Sequence, residues 1–314
     1  MNAKIIGTGS YLPENVLTND DLSRMVDTND EWIRTRTGIL RRHIAKDVNT
    51  AEMAAKAAAN ALENSNVLPD MIDLLVVATS TPDYAMPNCS CLVQGIIGAG
   101  NAMCVDINAA CSGFIEALDI ANAYLKADIY KCALVIGSER MSQVVDFTDR
   151  STCVLFGDGA GACVIKATDE HGGIIDRQFS ADGLKAEFII GGSISDKSKR
   201  YTAMNGQEVF KFATRKVPES IESILEKNTT DKDEINHYIL HQANIRIIEN
   251  VAKKLGVPFE RFPSNIAEYG NTSSASIPIL LDEMNRNNKL RPNEKIILSG
   301  FGAGLSWGSI LMEW

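Results

Sequence analysis

The chain lacks most features that would announce a function early. No apolar run reaches the ~18 residues needed to cross a bilayer, and no low-complexity or Pro/Ser-rich linker interrupts it. The opening residues, Met1-Asn-Ala-Lys-Ile-Ile-Gly7, turn polar too soon for a signal peptide. Positive charge is the minority sign. Lys and Arg number 31 against 40 Asp and Glu, a formal net charge of −9 that argues against nucleic acid as a partner. Histidine is scarce, with only His43, His171, His237 and His241. Cys89-x-Cys91 is too tight for a usual zinc pair, and no second pair follows at ligand spacing, so no metal is expected. Cysteine itself is not scarce. The seven residues, an odd number mostly inside apolar runs, point to reduced thiols and a cytoplasmic setting.

What is present reads as a large globular protein. The 314 residues exceed one ordinary domain, and 45% hydrophobic with 23% charged residues can build a substantial core. Strand-like runs alternate with helical ones, the pattern of an α/β protein. Residues 73–78, 131–137, 162–166, 238–240 and 295–299 read as buried strands, and 50–64, 89–98, 111–127, 207–228 and 244–255 as helices. A G-x-G-A-G string occurs at Gly157–Gly161 and again at Gly300–Gly304, each before a strand-like run. That spacing fits a duplicated domain whose halves, 1–170 and 171–314, join near Ala167–Gly173. A dinucleotide cradle fits poorly. It needs a strand, then G-x-G-x-x-G, then a helix, whereas Gly7-Thr-Gly9 has Leu12 in the third position and the G-x-G-A-G strings lead into strands.

Chemistry concentrates at Cys111. It follows a strand end at Val105–Ile107 and the small-residue turn Asn108-Ala-Ala, and Phe114, Leu118, Ala121 and Leu125 then mark one helical face. A thiol at a helix N-terminus lies in the positive end of the dipole, which favours the nucleophilic thiolate. Cys132, Cys153 and Cys163, inside apolar runs, read as packing. His241, at the end of the strand Tyr238–Leu240, and Asn271, in a Gly/Ser-rich loop, are the polar partners. The order Cys, His, Asn also occurs in papain-like hydrolases, but those carry a C-G-S-C-W type signature near a mature N-terminus, which is absent here.

Six strings, in order, closely resemble β-ketoacyl-acyl carrier protein synthase III over essentially the whole chain. They are Asp30–Gly38 (DEWIRTRTG), Asp106–Phe114 (DINAACSGF), Phe156–Gly161 (FGDGAG), Leu240–Asn244 (LHQAN), Gly270–Ser276 (GNTSSAS) and Phe301–Gly304 (FGAG). The resemblance implies the thiolase fold, two similar halves in a five-layer αβαβα arrangement, and a homodimer. It implies an acyltransferase of type II fatty-acid synthesis that condenses a short acyl-CoA with malonyl-acyl carrier protein; acyl-CoA is a substrate and no cofactor is expected. A related condensing enzyme of secondary metabolism is the alternative.

By the same resemblance Cys111 carries the acyl group, His241 and Asn271 stabilise the enolate formed as CO2 leaves, and the Cys111 and Ala303 N–H groups hold the acyl oxyanion. Phe301 packs around the cysteine and histidine. Trp32, Arg36, Arg150 and Asn244 would contact coenzyme A, and Lys211, Arg246, Lys253 and Lys254 the acidic carrier protein. Met86 stands where some members place a phenylalanine, contributed across the dimer to the floor of the acyl pocket. Methionine is adaptable, so a primer larger than acetyl is expected there. Ala303 replaces a frequent glycine.

Overall fold

The computed structural model describes residues 2–169, 172–193 and 195–314. Up to residue 168 the elements are β1 (Asn2–Tyr11), β2 (Val16–Thr18), α1 (Asn19–Ser23), α2 (Asp30–Thr37), β3 (Arg41–His43), α3 (Thr50–Ser65), β4 (Leu74–Ala78), α4 (Cys89–Ile97), β5 (Met103–Ile107), α5 (Gly113–Lys126), β6 (Cys132–Glu139), α6 (Arg150–Cys153) and β7 (Gly159–Thr168). There follow β8 (Gly173–Ala181), β9 (Ile189–Ile190), β10 (Ala203–Met204), α7 (Gly206–Lys227), β11 (Ile235–Leu240), α8 (Ile245–Leu255), α9 (Ile266–Tyr269), α10 (Ser276–Arg286), β12 (Lys295–Gly302) and β13 (Ser306–Glu313). The halves expected from the sequence meet at 170/171, outside the described residues, as does His171.

Two sheets carry the architecture. One runs β1-β7-β6-β4-β5, the other β11-β12-β13-β8. Their pairings correspond: β1 and β8 lie antiparallel to β7 and β13, these antiparallel to β6 and β12, and these parallel to β4 and β11. Side chains alternate along each strand. Leu74, Val76 and Ala78 join a core with α5, α10 and the second sheet's Ile239, Ile296 and Leu298. Leu75 and Val77 face α3 and α4 instead, and Tyr238, Leu240 and Ile297 face α7 and α8. The layers are therefore α3/α4, sheet, α5/α10, sheet, α7/α8.

The central helices begin alike. A short 3-10 turn, Ala110–Ser112, leads into α5, and another, Ser273–Ala275, leads into α10. Each starts with a non-glycine residue at positive φ, Ala110 at 46° and Ser273 at 51°. Such backbone costs on the order of 1–3 kcal/mol. Burial of Phe114, Ile115, Leu118 and Leu125 on α5 outweighs it, since each large side chain contributes about 1.5–3 kcal/mol. Cys111 thus lies in the turn before α5, whereas the sequence reading starts the helix at Cys111 itself.

Candidate active site

The two turns meet between the two sheets. The Cys111 turn sits against β12 and the Ser274 turn against β6, and a glycine makes each approach feasible. A Cβ on Gly302 of β12 would come 2.7 Å from Cys111 N, and one on Gly137 of β6 would come 2.5 Å from Ser274 O. The loop holding Asn271 is pinned to the Phe156–Gly161 string: Asn271 N–H donates to Leu155 O (2.8 Å) and Gly157 N–H to Asn271 O (3.0 Å). A Cβ on Gly157 would lie 2.3 Å from Tyr269 O, so backbone approach rather than phosphate binding accounts for that glycine.

Cys111, His241 and Asn271 line one cavity of about 1250 Å³, together with Phe301 and Ala303. Cys111 keeps part of its surface open to it. Burial pushes the thiol up from an ordinary 9.0 to about 12; a Ser273 hydrogen bond draws it down and the charge of Glu139 pushes it up. A helix dipole worth up to about 2 kcal/mol offsets only about half of that rise. Burial therefore works against the thiolate that the helix N-terminus favours.

His241 follows β11 and is 2% exposed. Its ring stands edge-on to Phe301, centroids 5.5 Å apart, and Nδ1 lies 2.7 Å from Ser276 Oγ. Burial pushes the imidazole down to about 3, so it is neutral at physiological pH. Asn271 uses Oδ1 to accept from Ser273 N–H (2.8 Å), which leaves its amide nitrogen as the end available to a ligand. Among the described residues, the Ala303 N–H has no acceptor, and the Cys111 N–H is turned toward its own sulfur.

The remaining sequence candidates divide. Trp32, Arg36, Asn244, Lys211 and Arg246 also line the cavity. Asn29 caps α2 and left-handed Gly38 closes it, which puts Trp32 and Arg36 on one face. The Arg36 and Arg150 guanidinium carbons lie 4.9 and 5.0 Å from the Trp32 ring centre, although Arg150 itself is outside the cavity lining and donates to Asp27 O (2.7 Å). Asn244 spends Oδ1 capping α8 through Arg246 N–H. Lys253 and Lys254 are exposed in the last turn of α8, away from the lining. Met86 is 83% exposed and does not enter its own chain's cavity. Sequence reasoning missed Ser273, Ser276 and Glu139. A carboxylate ending the buried run Cys132–Ser138 was a readable sign for the last, since an unpaired charge there is costly. Among the described residues, no group of three His, Cys, Asp or Glu is placed to hold a metal ion.

Comparison with known proteins points to one family. Residues 105–183 match the family described as 3-oxoacyl-(acyl-carrier-protein) synthase III, and residues 225–314 match its C-terminal region. β-Ketoacyl-(acyl-carrier-protein) synthase III of Clostridium botulinum strain Okra is 50% identical over 323 residues, covering 100% of this chain and 99% of the relative. The enzyme of the same name from Clostridium acetobutylicum is 47% identical over 322 residues, with the same coverage. The crystal structure of 3-oxoacyl-(acyl-carrier-protein) synthase III from Aquifex aeolicus superposes with a TM-score of 0.96 at 46% identity, covering 99% of this chain and 100% of that one.

Proposed function

The chain belongs to the β-ketoacyl-acyl carrier protein synthase III family, and we propose that Cys111, His241 and Asn271 carry its condensation of an acyl-CoA primer with malonyl-acyl carrier protein. The enzyme is an acyltransferase of fatty-acid biosynthesis. Cys111 accepts the acyl group and coenzyme A leaves. The malonyl thioester then occupies the same cavity, loses CO2 to give an enolate, and the enolate carbon attacks the acyl-Cys111 carbonyl.

The observation that carries the assignment is the convergence of a thiol, a neutral imidazole and a carboxamide on one cavity. Gln242 N–H donates to Ser276 Oγ; with the serine proton directed to His241 Nδ1, the ring proton lies on Nε2. Nε2–H and the Asn271 amide are then two neutral donors for the enolate oxygen. Preorganised donors aimed at developing charge stabilise the transition state without having to ionise. The Cys111 and Ala303 N–H groups serve the tetrahedral oxyanion in the same way.

The substrate contacts follow. Trp32, between two guanidinium groups, offers its face to the adenine of coenzyme A once Arg150 moves aside, with Arg36 on phosphate and Asn244 on the pantetheine. Lys211 and Arg246 at the cavity, with Lys253 and Lys254 further along α8, give the acidic carrier a basic approach on a chain of net charge −9. Homodimer formation is supported by β5, which ends its sheet with no strand paired beyond it among the described residues. A partner there would cover Met86 and set it at the floor of the partner's acyl pocket, admitting branched primers. The two halves, 1–170 and 171–314, are read as a duplication supported by the matching strand orders.

Intact mass spectrometry tests this reading. Incubation with acetyl-, isobutyryl- and longer acyl-CoAs should leave one acyl group on Cys111, and ketoacyl product should appear only after malonyl-acyl carrier protein is added. Rapid hydrolysis of acyl-CoA without condensation would instead favour a hydrolase.

A further inference from the structure

Glu139 ends β6 fully buried, directly beneath the reacting turn. No cation faces it among the described residues. Its carboxylate accepts from the Ser80 N–H (3.1 Å) and from the hydroxyls of Thr81 (2.7 Å), Ser274 (2.9 Å), Ser273 (3.1 Å), Ser80 (3.1 Å) and Thr79 (3.4 Å). The titratable groups that face it are two thiols, Cys111 from the turn before α5 and Cys89 from the head of α4. The Ser273 hydroxyl donates to Glu139 (3.1 Å), lines the cavity beside Cys111 and is the neighbour that draws the Cys111 thiol down. The turn before α5 and the turn before α10 therefore meet above one buried carboxylate, with the Ser273 hydroxyl on the Cys111 side of it.

The condensation reading leaves one proton unassigned. Cys111 must lose its proton to attack a thioester, yet His241 is too weak a base to hold it. We infer that Glu139, acting through the Ser273 hydroxyl, takes the Cys111 proton during acyl transfer. The thiol proton passes to Ser273 Oγ as the Ser273 proton passes to Glu139. The thiolate attacks the acyl carbon, the carbon–sulfur bond to coenzyme A breaks, and the proton held on Glu139 is returned as the coenzyme A thiol forms. Thioester plus thiol becomes thioester plus thiol, with no net proton change. Burial pushes Glu139 above the ordinary carboxylate range, against the hydrogen bonds that pull it down, which suits a group that must accept a proton in a dry site. Glu139 is a positioning residue that acts through Ser273; it does not touch substrate.

This inference deepens the Cys111 assignment and rests on it, but its test needs no substrate. Alkylation of Cys111 by iodoacetamide, followed by peptide mapping of the full-length protein, reads thiol reactivity directly. If the proton moves internally, the reactive form and the resting form carry the same charge. The wild-type rate should then vary less than about threefold between about pH 6.5 and 8.5. Glu139→Gln and Ser273→Ala each break the relay, so their rates should start at least about tenfold lower and climb about tenfold per pH unit. A merely electrostatic Glu139 predicts the reverse, because removing its negative charge would make the thiol more reactive at every pH. A wild-type slope equal to that of the variants, or a faster Glu139→Gln, overturns the proposal. Ser273→Ala keeps the carboxylate and its other donors, so it decides the question should Glu139→Gln fail to fold. An enzyme that forms no acyl adduct yet shows the flat alkylation profile would sink the condensing reading and leave the relay standing.

Discussion

The turns before α5 and α10 are the same backbone device put to different uses. Both follow an asparagine, Asn108 or Asn271, open at positive φ and feed a central helix. The first presents Cys111, partly open, to the cavity. The second presents Ser274, 1% exposed, whose hydroxyl lies 3.0 Å from Ala78 O and 2.9 Å from Glu139. On the proposed reading the first turn does the chemistry while the second ties the two sheets together, and Asn271 reaches the cavity because its turn is anchored from below.

Substitution at the paired positions should separate these roles most strongly. Cys111→Ser should reduce acyl transfer by at least about 10³-fold with little change in stability. Ser274→Ala should leave acyl transfer within about tenfold but lower stability by about 1–3 kcal/mol, since buried acceptors lose a donor. Urea unfolding and acyl-adduct formation read the two effects; a Ser274→Ala enzyme as inactive as Cys111→Ser would break the comparison.

The supporting glycines give the next effect. Gly302→Ala drives a Cβ into the backbone of the Cys111 turn, so acyl transfer should fall about 10²-fold through misplacement of the sulfur. Gly137→Ala presses equally on the Ser274 turn and should cost mainly stability, about 1–3 kcal/mol. Equal activity losses from both would mean that the turns are not functionally distinct.

His241 provides a smaller, pH-dependent contrast. Its folded value, about 3, lies below the ordinary 6.5. The unfolded chain therefore binds the extra proton between those values, and stability falls as pH drops through that window, by about 1.4 kcal/mol per pH unit. Urea titrations from about pH 6.5 to 4.5 should show His241→Ala losing that part of the slope. An unchanged slope would mean that the imidazole is not held neutral.

Sequence patterning reached the apolar strands and long helices because continuous burial and helical periodicity are local signals. α3 was expected over 50–64 and spans Thr50–Ser65; α7 was expected over 207–228 and spans Gly206–Lys227. It did not reach β1, whose run Asn2–Tyr11 mixes glycine and polar residues and is held by pairing with β7. Nor did it reach α10, where Pro278 looks like a breaker but falls in the first helical turn, where it is tolerated. Cys111, His241 and Asn271 were each legible through a strand end, a turn or a family string. The links beneath them, Ser276 to the imidazole and Glu139 to both turns, were not, because they join residues far apart in the chain. Met86 stays out of its own chain's cavity, and the contact proposed for it belongs to a second copy.

The most direct test of the division of labour at this site follows the two half-reactions of His241→Ala separately. Acetyl-Cys111 should form from acetyl-CoA at within about tenfold of the wild-type rate. Decarboxylation of malonyl-acyl carrier protein, read as CO2 release, should fall by about 10²–10³-fold, the usual cost of losing one preorganised donor. If acylation fails first, His241 is the base for Cys111, and both the enolate assignment and the Glu139 relay are wrong.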